Sequence, residues 1–227
     1  MADQLPLKAG DRVLDIGCGP GWFWTAVADS LPGNLHLTLA DLSPGMVQEA
    51  MERCRASPFA SVESRRADAA ALPFADDSFD AVIAMHMLYH LPDPAAGIAE
   101  ITRVLKPGGF AAVTTNGSGN MRKLHQLAAA FGGEPRDPSA AIFGFEAAER
   151  LLGAQFGNVT LLRHPAKLRI TEPEDVFLAL TSYPPGDQAN EIQLAALRRA
   201  IADAFREGGG VLEVEKEGGL FLSRKNA

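Results

Sequence analysis

The 227-residue chain holds only two cysteines, Cys18 and Cys54. They cannot form a disulfide framework or a typical zinc site, and their spacing matches no redox pair. No window approaches the roughly 18 consecutive apolar residues that would span a membrane. The N-terminus, Met-Ala-Asp-Gln-Leu-Pro-Leu-Lys, lacks the basic region and apolar run of an export signal. A soluble cytoplasmic protein is the expectation. Basic residues are outnumbered, 21 against 28 acidic, for a net charge of −7. That balance disfavours a nucleic-acid or anionic-membrane partner. Fixed-period repeats and low-complexity segments are also lacking. What remains is 47% AVILMFWYC residues and 22% charged residues, the composition of a globular protein. A chain this long buries a substantial core without staples and suits one α/β domain with an added lobe.

Two periodicities alternate through the first half. Short β-rich runs occur at Arg12–Gly17, Leu35–Ala40, Val62–Ala67, Asp80–Met85 and Gly109–Thr115. Val13, Leu14 and Ile16 form a nearly continuous apolar run, as in a strand covered on both faces. Between the first two runs, Phe23, Val27 and Leu31 recur at helical spacing until Pro32-Gly33. Ser43 before Pro44 is a helix start that brings Met46, Val47, Ala50 and Met51 onto one face. Asp93-Pro94 starts another helix with Ile98, Ile101 and Leu105 on its buried stripe; Pro107-Gly108-Gly109 stops it. Strand and helix alternating at this interval predict a doubly wound parallel sheet with right-handed crossovers.

After Asn116 the pattern loosens. Helices are predicted over Asn120–Phe131, Phe145–Phe156, Pro173–Ser182 and Asp187–Glu207, with a turn-rich stretch at 132–139. A strand is predicted near Val159–Arg163, and a terminal hairpin pairs Val211–Val214 with Leu220–Ser223 through a Glu-Gly-Gly turn. The organisation expected is a single domain over 1–227, with residues 1–116 binding a cofactor and 117–227 covering a substrate and completing the sheet.

The chemistry is concentrated in Val13-Leu14-Asp15-Ile16-Gly17-Cys18-Gly19-Pro20-Gly21, a GxGxG turn between the first strand and its helix. Glycines there let the backbone approach a ligand that side chains would keep away. A dinucleotide enzyme would show GxGxxG, but Trp22 stands where the third glycine would be. Asp15, two residues before the first glycine, suits a cationic ligand better than a diphosphate.

These residues resemble motif I of the class I methyltransferases that use S-adenosylmethionine, and four later segments agree in order and spacing. Asp41, in Leu39-Ala40-Asp41-Leu42-Ser43, matches the acidic residue that holds both ribose hydroxyls; a carboxylate is a bidentate acceptor. Asp68-Ala69 matches the element that reads the adenine amino group. Asp77-Ser78-Phe79-Asp80 matches the lead into the fourth strand, and Leu105-Lys106-Pro107-Gly108-Gly109-Phe110 the motif before the fifth. The resemblance covers Arg12 to about Asn116, and the subgroup looks like the ubiquinone/menaquinone C-methyltransferases.

The resemblance implies a Rossmann-like, mostly parallel seven-stranded sheet with a helical substrate cover from the C-terminal half. It further implies S-adenosyl-L-methionine as cofactor, S-adenosyl-L-homocysteine as product, and in-line methyl transfer to a small organic acceptor without a metal. Gly17, Gly19 and Gly21 shape the turn for the methionine portion, with Cys18 a small residue fitted inside it. Asp15 helps hold the ammonium, which the backbone around Met85 also meets. Leu42 and Met46 face the adenine, Asp68 accepts from its N6, and the Ala69 amide donates to N1. One of Trp22 and Trp24 covers the cofactor while the other packs. His86, Tyr89 and His90, after the fourth strand, lie between cofactor and substrate in the family. A histidine there can take a proton from an acceptor hydroxyl or amine, although His90 equally fits a packing role in the Leu91-Pro92 turn.

Several absences narrow the acceptor. Ala84-Met85-His86-Met87 is neither the Asn/Asp-Pro-Pro-aromatic sequence of amino-group nucleic-acid enzymes nor a Pro-Cys nucleophile. The paired acidic residues that hold magnesium in catechol-type enzymes are missing, and Asn116 alone does not rebuild that site. Few residues precede the first strand, where many relatives begin with helices that close over the cofactor. Either the chain is shortened or another segment supplies the lid. A helical insertion at Glu172–Glu207, together with Asn116–Phe145, is the expected acceptor-selecting cover. Its Phe131, Phe143, Phe145, Phe177 and Tyr183 favour an apolar or aromatic acceptor and equally fit ordinary packing. A monomer or homodimer is expected. The rival readings are a cofactor-binding protein without methyl transfer and a nicotinamide-dependent oxidoreductase.

Overall fold

The computed structural model describes residues 2–132 and 135–226, so residues 133–134 of the turn-rich stretch lie outside it. In chain order the elements are β1 (Arg12–Ile16), α1 (Trp22–Val27), β2 (His36–Asp41), α2 (Pro44–Cys54), β3 (Ser61–Arg66), β4 (Phe79–Met85), α3 (Pro94–Val104) and β5 (Leu105–Asn116). They continue with α4 (Arg122–Ala128), α5 (Pro138–Phe143), α6 (Phe145–Phe156), β6 (Thr160–Ile170), α7 (Pro173–Thr181), α8 (Glu191–Glu207) and β7 (Leu212–Arg224). One seven-stranded sheet has the order β3-β2-β1-β4-β5-β7-β6. The pairs from β3 through β5 are parallel, with Leu14 between Thr38 and Val82. This is the mostly parallel, doubly wound arrangement expected of the sequence.

The chain divides into two compact units, Met1–Thr115 with Phe145–Leu162 and Leu220–Ala227, and Asn116–Gly144 with Arg163–Gly219. In the first unit β1 reads as a covered strand because Val13, Leu14 and Ile16 are all buried. Trp24, Leu37, Leu39, Ile83 and Ala112 share one core cluster with Val13, and the Trp24 ring meets Phe23 and Phe59 edge-on. Ser43 starts α2 by accepting from the Met46 amide, and Asp93 starts α3 by accepting from the Ala95 amide, each with proline at the first turn. The second unit closes α4, α7 and α8 over Leu127, Val176, Leu180, Leu197, Ile201 and Phe205. Each such side chain, fully buried, contributes roughly 1.5–3 kcal/mol.

Several predicted elements change shape. Leu105 is buried as the first residue of β5, paired with Phe79, so α3 ends before it and the strand passes through Pro107-Gly108-Gly109. The helix after the glycine turn finishes as a 3-10 turn at Ala28–Ser30. The one after Asn120 begins only at Arg122, because Met121 is left-handed with φ 48°. Asn190 splits the last predicted helix: it caps α8 in a reciprocal box with Gln193, leaving Gly186–Gln188 as a 3-10 turn. The late strand continues past Arg163 to Ile170, and Asp137-Pro138 starts a further helix, α5, after the turn-rich stretch.

The terminal hairpin is a single strand. Gly218 and Gly219 stay extended inside β7. Long-range partners take the polar groups that a turn would have satisfied internally. Glu217 N donates to Asn120 Oδ1 at 3.1 Å, and Glu217 O and Glu215 O accept from Gly117 N and Met121 N, each at 2.9 Å. No helix among the described residues is long and apolar enough to cross a membrane.

Candidate functional site

A cavity of about 410 Å³ opens in the first unit. Its lining comes from the carboxyl ends of β1, β2 and β4 and the segment after β3: Ile16, Gly17, Gly19, Asp41, Leu42, Ala67, Asp68, Ala69, His86, Met87, His90 and Leu91. Ligand sites of parallel α/β sheets form outside the carboxyl ends of the strands, where no ladder hydrogen bonds remain to be made.

The three motif glycines all have positive φ, 67°, 52° and 79° at Gly17, Gly19 and Gly21, yet each answers a different steric demand. A Cβ on Gly17 would lie 2.6 Å from Met87 Cβ, so this glycine admits the opposite wall of the cavity. On Gly21 it would reach 3.0 Å from Ala50 Cα and 3.2 Å from Cys54 Sγ, so this one lets α2 close against the turn. On Gly19 it would meet nothing within 4 Å, leaving bare backbone facing open space.

Asp41 ties the first two turns together. Its Oδ2 accepts from Gly19 N at 3.0 Å and its Oδ1 from Ser43 N at 2.9 Å, and each oxygen keeps a second lone pair. Asp68 is exposed, and its Oδ1 accepts from Ala70 N at 2.9 Å. Asp15 does not line the cavity. It is buried in β1 and accepts from Trp24 Nε1 at 2.6 Å. Burial pushes its carboxyl up to about 7 against the pull of the indole hydrogen bond, and the charge of Asp41 adds to the rise. Cys18 donates to Gly19 O at 3.4 Å. Burial, with the charges of Asp15 and Asp41, pushes its thiol far up, which makes it a poor nucleophile.

Of the two indoles, Trp24 is the one that packs, at 0% exposure. Trp22 is 63% exposed and does not line the cavity; the Arg53 guanidinium lies 3.6 Å from its ring centroid. Arg53 Nε also donates to Pro20 O at 2.7 Å, bracing the glycine turn. Gly21, Met46, Met85 and Tyr89 are likewise outside the lining. The Tyr89 ring stands 4.6 Å from that of His90 and 6.5 Å from that of His86. Both histidines are exposed and reach the cavity.

Ile16, Ala67, Met87 and Leu91 form an apolar wall that sequence reasoning missed. Ile16 is the last residue of β1 and Ala67 directly follows β3, so both stand at strand ends beside motif residues. Met87 and Leu91 carry no comparable signal.

Among the described residues, no group of three or more His, Cys, Asp and Glu is placed to hold a metal ion. Asn116 Nδ2 donates to Asp137 Oδ2 at 3.1 Å. Phe131, Phe143 and Phe145 are buried, Phe177 lies under the Arg198 guanidinium, and Tyr183 is half exposed. A second groove, of about 490 Å³, lies in the second unit among Arg122, Lys123, Lys167, Glu213, Glu215 and Glu217 and contains none of the predicted residues.

The glycine turn after β1, the acidic residue ending β2 and the cavity between them stand together at the carboxyl edge of the doubly wound sheet. Residues 14–113 match the family described as a methyltransferase domain. The chain is similar to 27-O-demethylrifamycin SV methyltransferase of Amycolatopsis mediterranei, 41% identical over 110 residues, covering 48% of this chain and 40% of that protein. It is also similar to demethylmenaquinone methyltransferase of Clavibacter sepedonicus, 43% identical over 101 residues, covering 44% of this chain and 39% of that protein. The chain therefore spans well under half the length of these curated relatives. Among solved structures, the YcgJ protein from Bacillus subtilis has the same fold, with a TM-score of 0.68 at 19% identity over 100% of this chain and 97% of that one.

Proposed function

We propose that the chain transfers a methyl group from S-adenosyl-L-methionine to a small organic acceptor. One observation carries the reading: the segment that matches the methyltransferase domain is the segment that builds a cavity lined by Asp41, Asp68 and two histidines. The cavity suits such a cofactor in size and chemistry. About 410 Å³ lies within the range of small-molecule sites, and the open backbone at Gly19 leaves room for a ligand to lie against the turn.

Asp41 would hold the ribose hydroxyls with the lone pairs its backbone donors leave over. Leu42 and Ala69 supply apolar surface for the adenine, and Asp68 keeps Oδ2 to accept from the adenine amino group. Gly17 and Gly19 would take the methionine portion. Asp15, buried and bonded to Trp24, would act on the ligand's positive charge through the field rather than by contact. When bound, the cofactor would supply an electrophilic methyl group on a sulfonium, with the neutral thioether of S-adenosyl-L-homocysteine as its leaving group. The protein's own contribution is to align the acceptor and to receive the proton that its hydroxyl or amine loses, a task for His86 or His90. Both matched relatives carry names that denote small organic molecules, which supports a small acceptor.

Thermal stabilisation tests the reading. S-adenosylhomocysteine should raise the melting temperature and NAD should not, because only a ligand of the native state shifts it. Stabilisation by NAD alone would sink the proposal. Asp41→Ala should weaken S-adenosylhomocysteine binding by roughly 1–3 kcal/mol. An unchanged dissociation constant would remove the ribose assignment. A panel of apolar and aromatic acceptors, read by mass spectrometry, then identifies the methylated atom.

A further inference from the structure

α3 carries a glycine on the face where its neighbours are apolar side chains. Gly97 is buried along the helix with Ile98, Ile101 and Val104. Its backbone is helical and its φ is not positive, so glycine supplies space there rather than conformational freedom. Inside a helix, glycine is destabilising relative to alanine. The space that a Cβ would take is filled by other groups.

Three of them meet at that point. A Cβ on Gly97 would lie 2.5 Å from Leu91 Cδ1, 3.2 Å from Leu88 Cδ2 and 3.9 Å from the Ala69 carbonyl oxygen. Leu91 and Ala69 both line the ligand cavity, one from the segment after β4 and the other from the segment after β3. Gly97 is outside the lining and lies directly behind these two walls. At 3.9 Å the carbonyl is in ordinary contact and at 3.2 Å Leu88 need give only slightly, so Leu91 is the group that would have to move. Leu91 is half-buried, its Cδ1 is the end of a flexible side chain, and the cavity is open space beside it. A side chain at 97 is therefore accommodated by turning Leu91 into the cavity.

We infer that Gly97 is a positioning residue of the ligand cavity: its missing side chain seats Leu91 against α3 and so sets how much room the cavity leaves for a ligand. The inference deepens the proposed function and rests on it only for the identity of that ligand.

Its primary test needs no ligand. In the wild type a Leu91 methyl should show a nuclear Overhauser contact to the Gly97 Hα protons, and absence of that contact overturns the inference. The difference between the two Leu91 methyl carbon shifts reports the side-chain rotamer, and it should change in Gly97→Ala as Leu91 turns. An unchanged rotamer overturns the inference. Failure of Gly97→Ala to fold, with or without Leu91→Ala, shows that Leu91 cannot yield towards the cavity and overturns it as well.

S-adenosylhomocysteine provides the second readout. Its affinity should fall about tenfold in Gly97→Ala, the scale of overpacking by one methyl group. In a Leu91→Ala background, where Cδ1 is gone, the same substitution should cost about twofold or less. General damage to α3 would not depend on Leu91, so equal losses in the two backgrounds overturn the inference, as does an unchanged affinity in Gly97→Ala. If S-adenosylhomocysteine fails to bind the wild type, the proposed function falls, while the ligand-free rotamer of Leu91 still decides the role of Gly97.

Discussion

Each unit buries an aspartate, and the two are handled in opposite ways. Asp15 in β1 of the first unit is 4% exposed and has the Trp24 indole as its hydrogen-bond donor. Asp137 in the second is 8% exposed and accepts from Asn116, Asn120, the Ser139 amide and the Ser139 hydroxyl. Burial drives both carboxyls up. In Asp15 it prevails and the group rises to about 7. In Asp137 the donors from Ser139 and Asn120, with His125 nearby, overcome it and hold the group below the usual carboxylate range. Burial alone does not fix the charge of an acid; the number of donors aimed at it does. Asp137 is used up as a cap and cross-link for α5, whereas Asp15, beside the glycine turn, remains titratable near neutrality.

The largest test of this contrast is the pH dependence of stability. The native state binds the Asp15 proton more tightly than the unfolded chain, where the carboxyl titrates near 3.8. Its contribution is therefore complete below that value and is lost as pH rises through about 7, in all about 4 kcal/mol at 1.36 per unit. Urea unfolding from pH 4 to 8 should show this decline, and Asp15→Asn should flatten it. An unchanged slope in the variant breaks the comparison. Asp137 has the opposite sign: its stabilisation is present above the unfolded value and lost as pH falls through the lowered native one.

Next in size is Asp137→Ala, which strands the buried Asn120 amide and removes the α5 cap. A loss of about 2–3 kcal/mol in unfolding free energy is expected. A neutral outcome would mean the donors find other partners. The smallest effect belongs to Ser139→Ala, which deletes one hydroxyl donor while keeping the backbone one. It should cost about 1 kcal/mol and raise the Asp137 titration toward the ordinary range, as followed by carboxyl NMR.

The same contrast explains what could be read from the chain alone. β1, β2 and β4 declare themselves because their apolar runs are local, and Ser43-Pro44 and Asp93-Pro94 mark helix starts within a few residues. Asp137-Pro138 is the same signal and marks α5, but a turn-rich neighbourhood obscured it. The course of β7 was not legible. Gly218-Gly219 reads as a turn until Gly117, Asn120 and Met121, far away in sequence, are seen to hold Glu215 and Glu217.

At the cavity, Asp41, Asp68, Gly17 and Gly19 are the residues that the family resemblance of their motifs picks out. That Asp15 is buried and bonded to an indole and that His86 is left-handed are tertiary facts with no local trace. Nor does the sequence tell which of Trp22 and Trp24 lies inside, because residues two apart on a helix face different directions.

The bond from Trp24 to Asp15 also gives the molecule an optical property. The two tryptophans stand two residues apart in α1, one in the core against a titrating carboxyl and the other in solvent beside a guanidinium. Trp24 emission should therefore follow the proton on Asp15, while a dissolved quencher reaches only Trp22. The charge beside the glycine turn can thus be watched by fluorescence in the unlabelled protein.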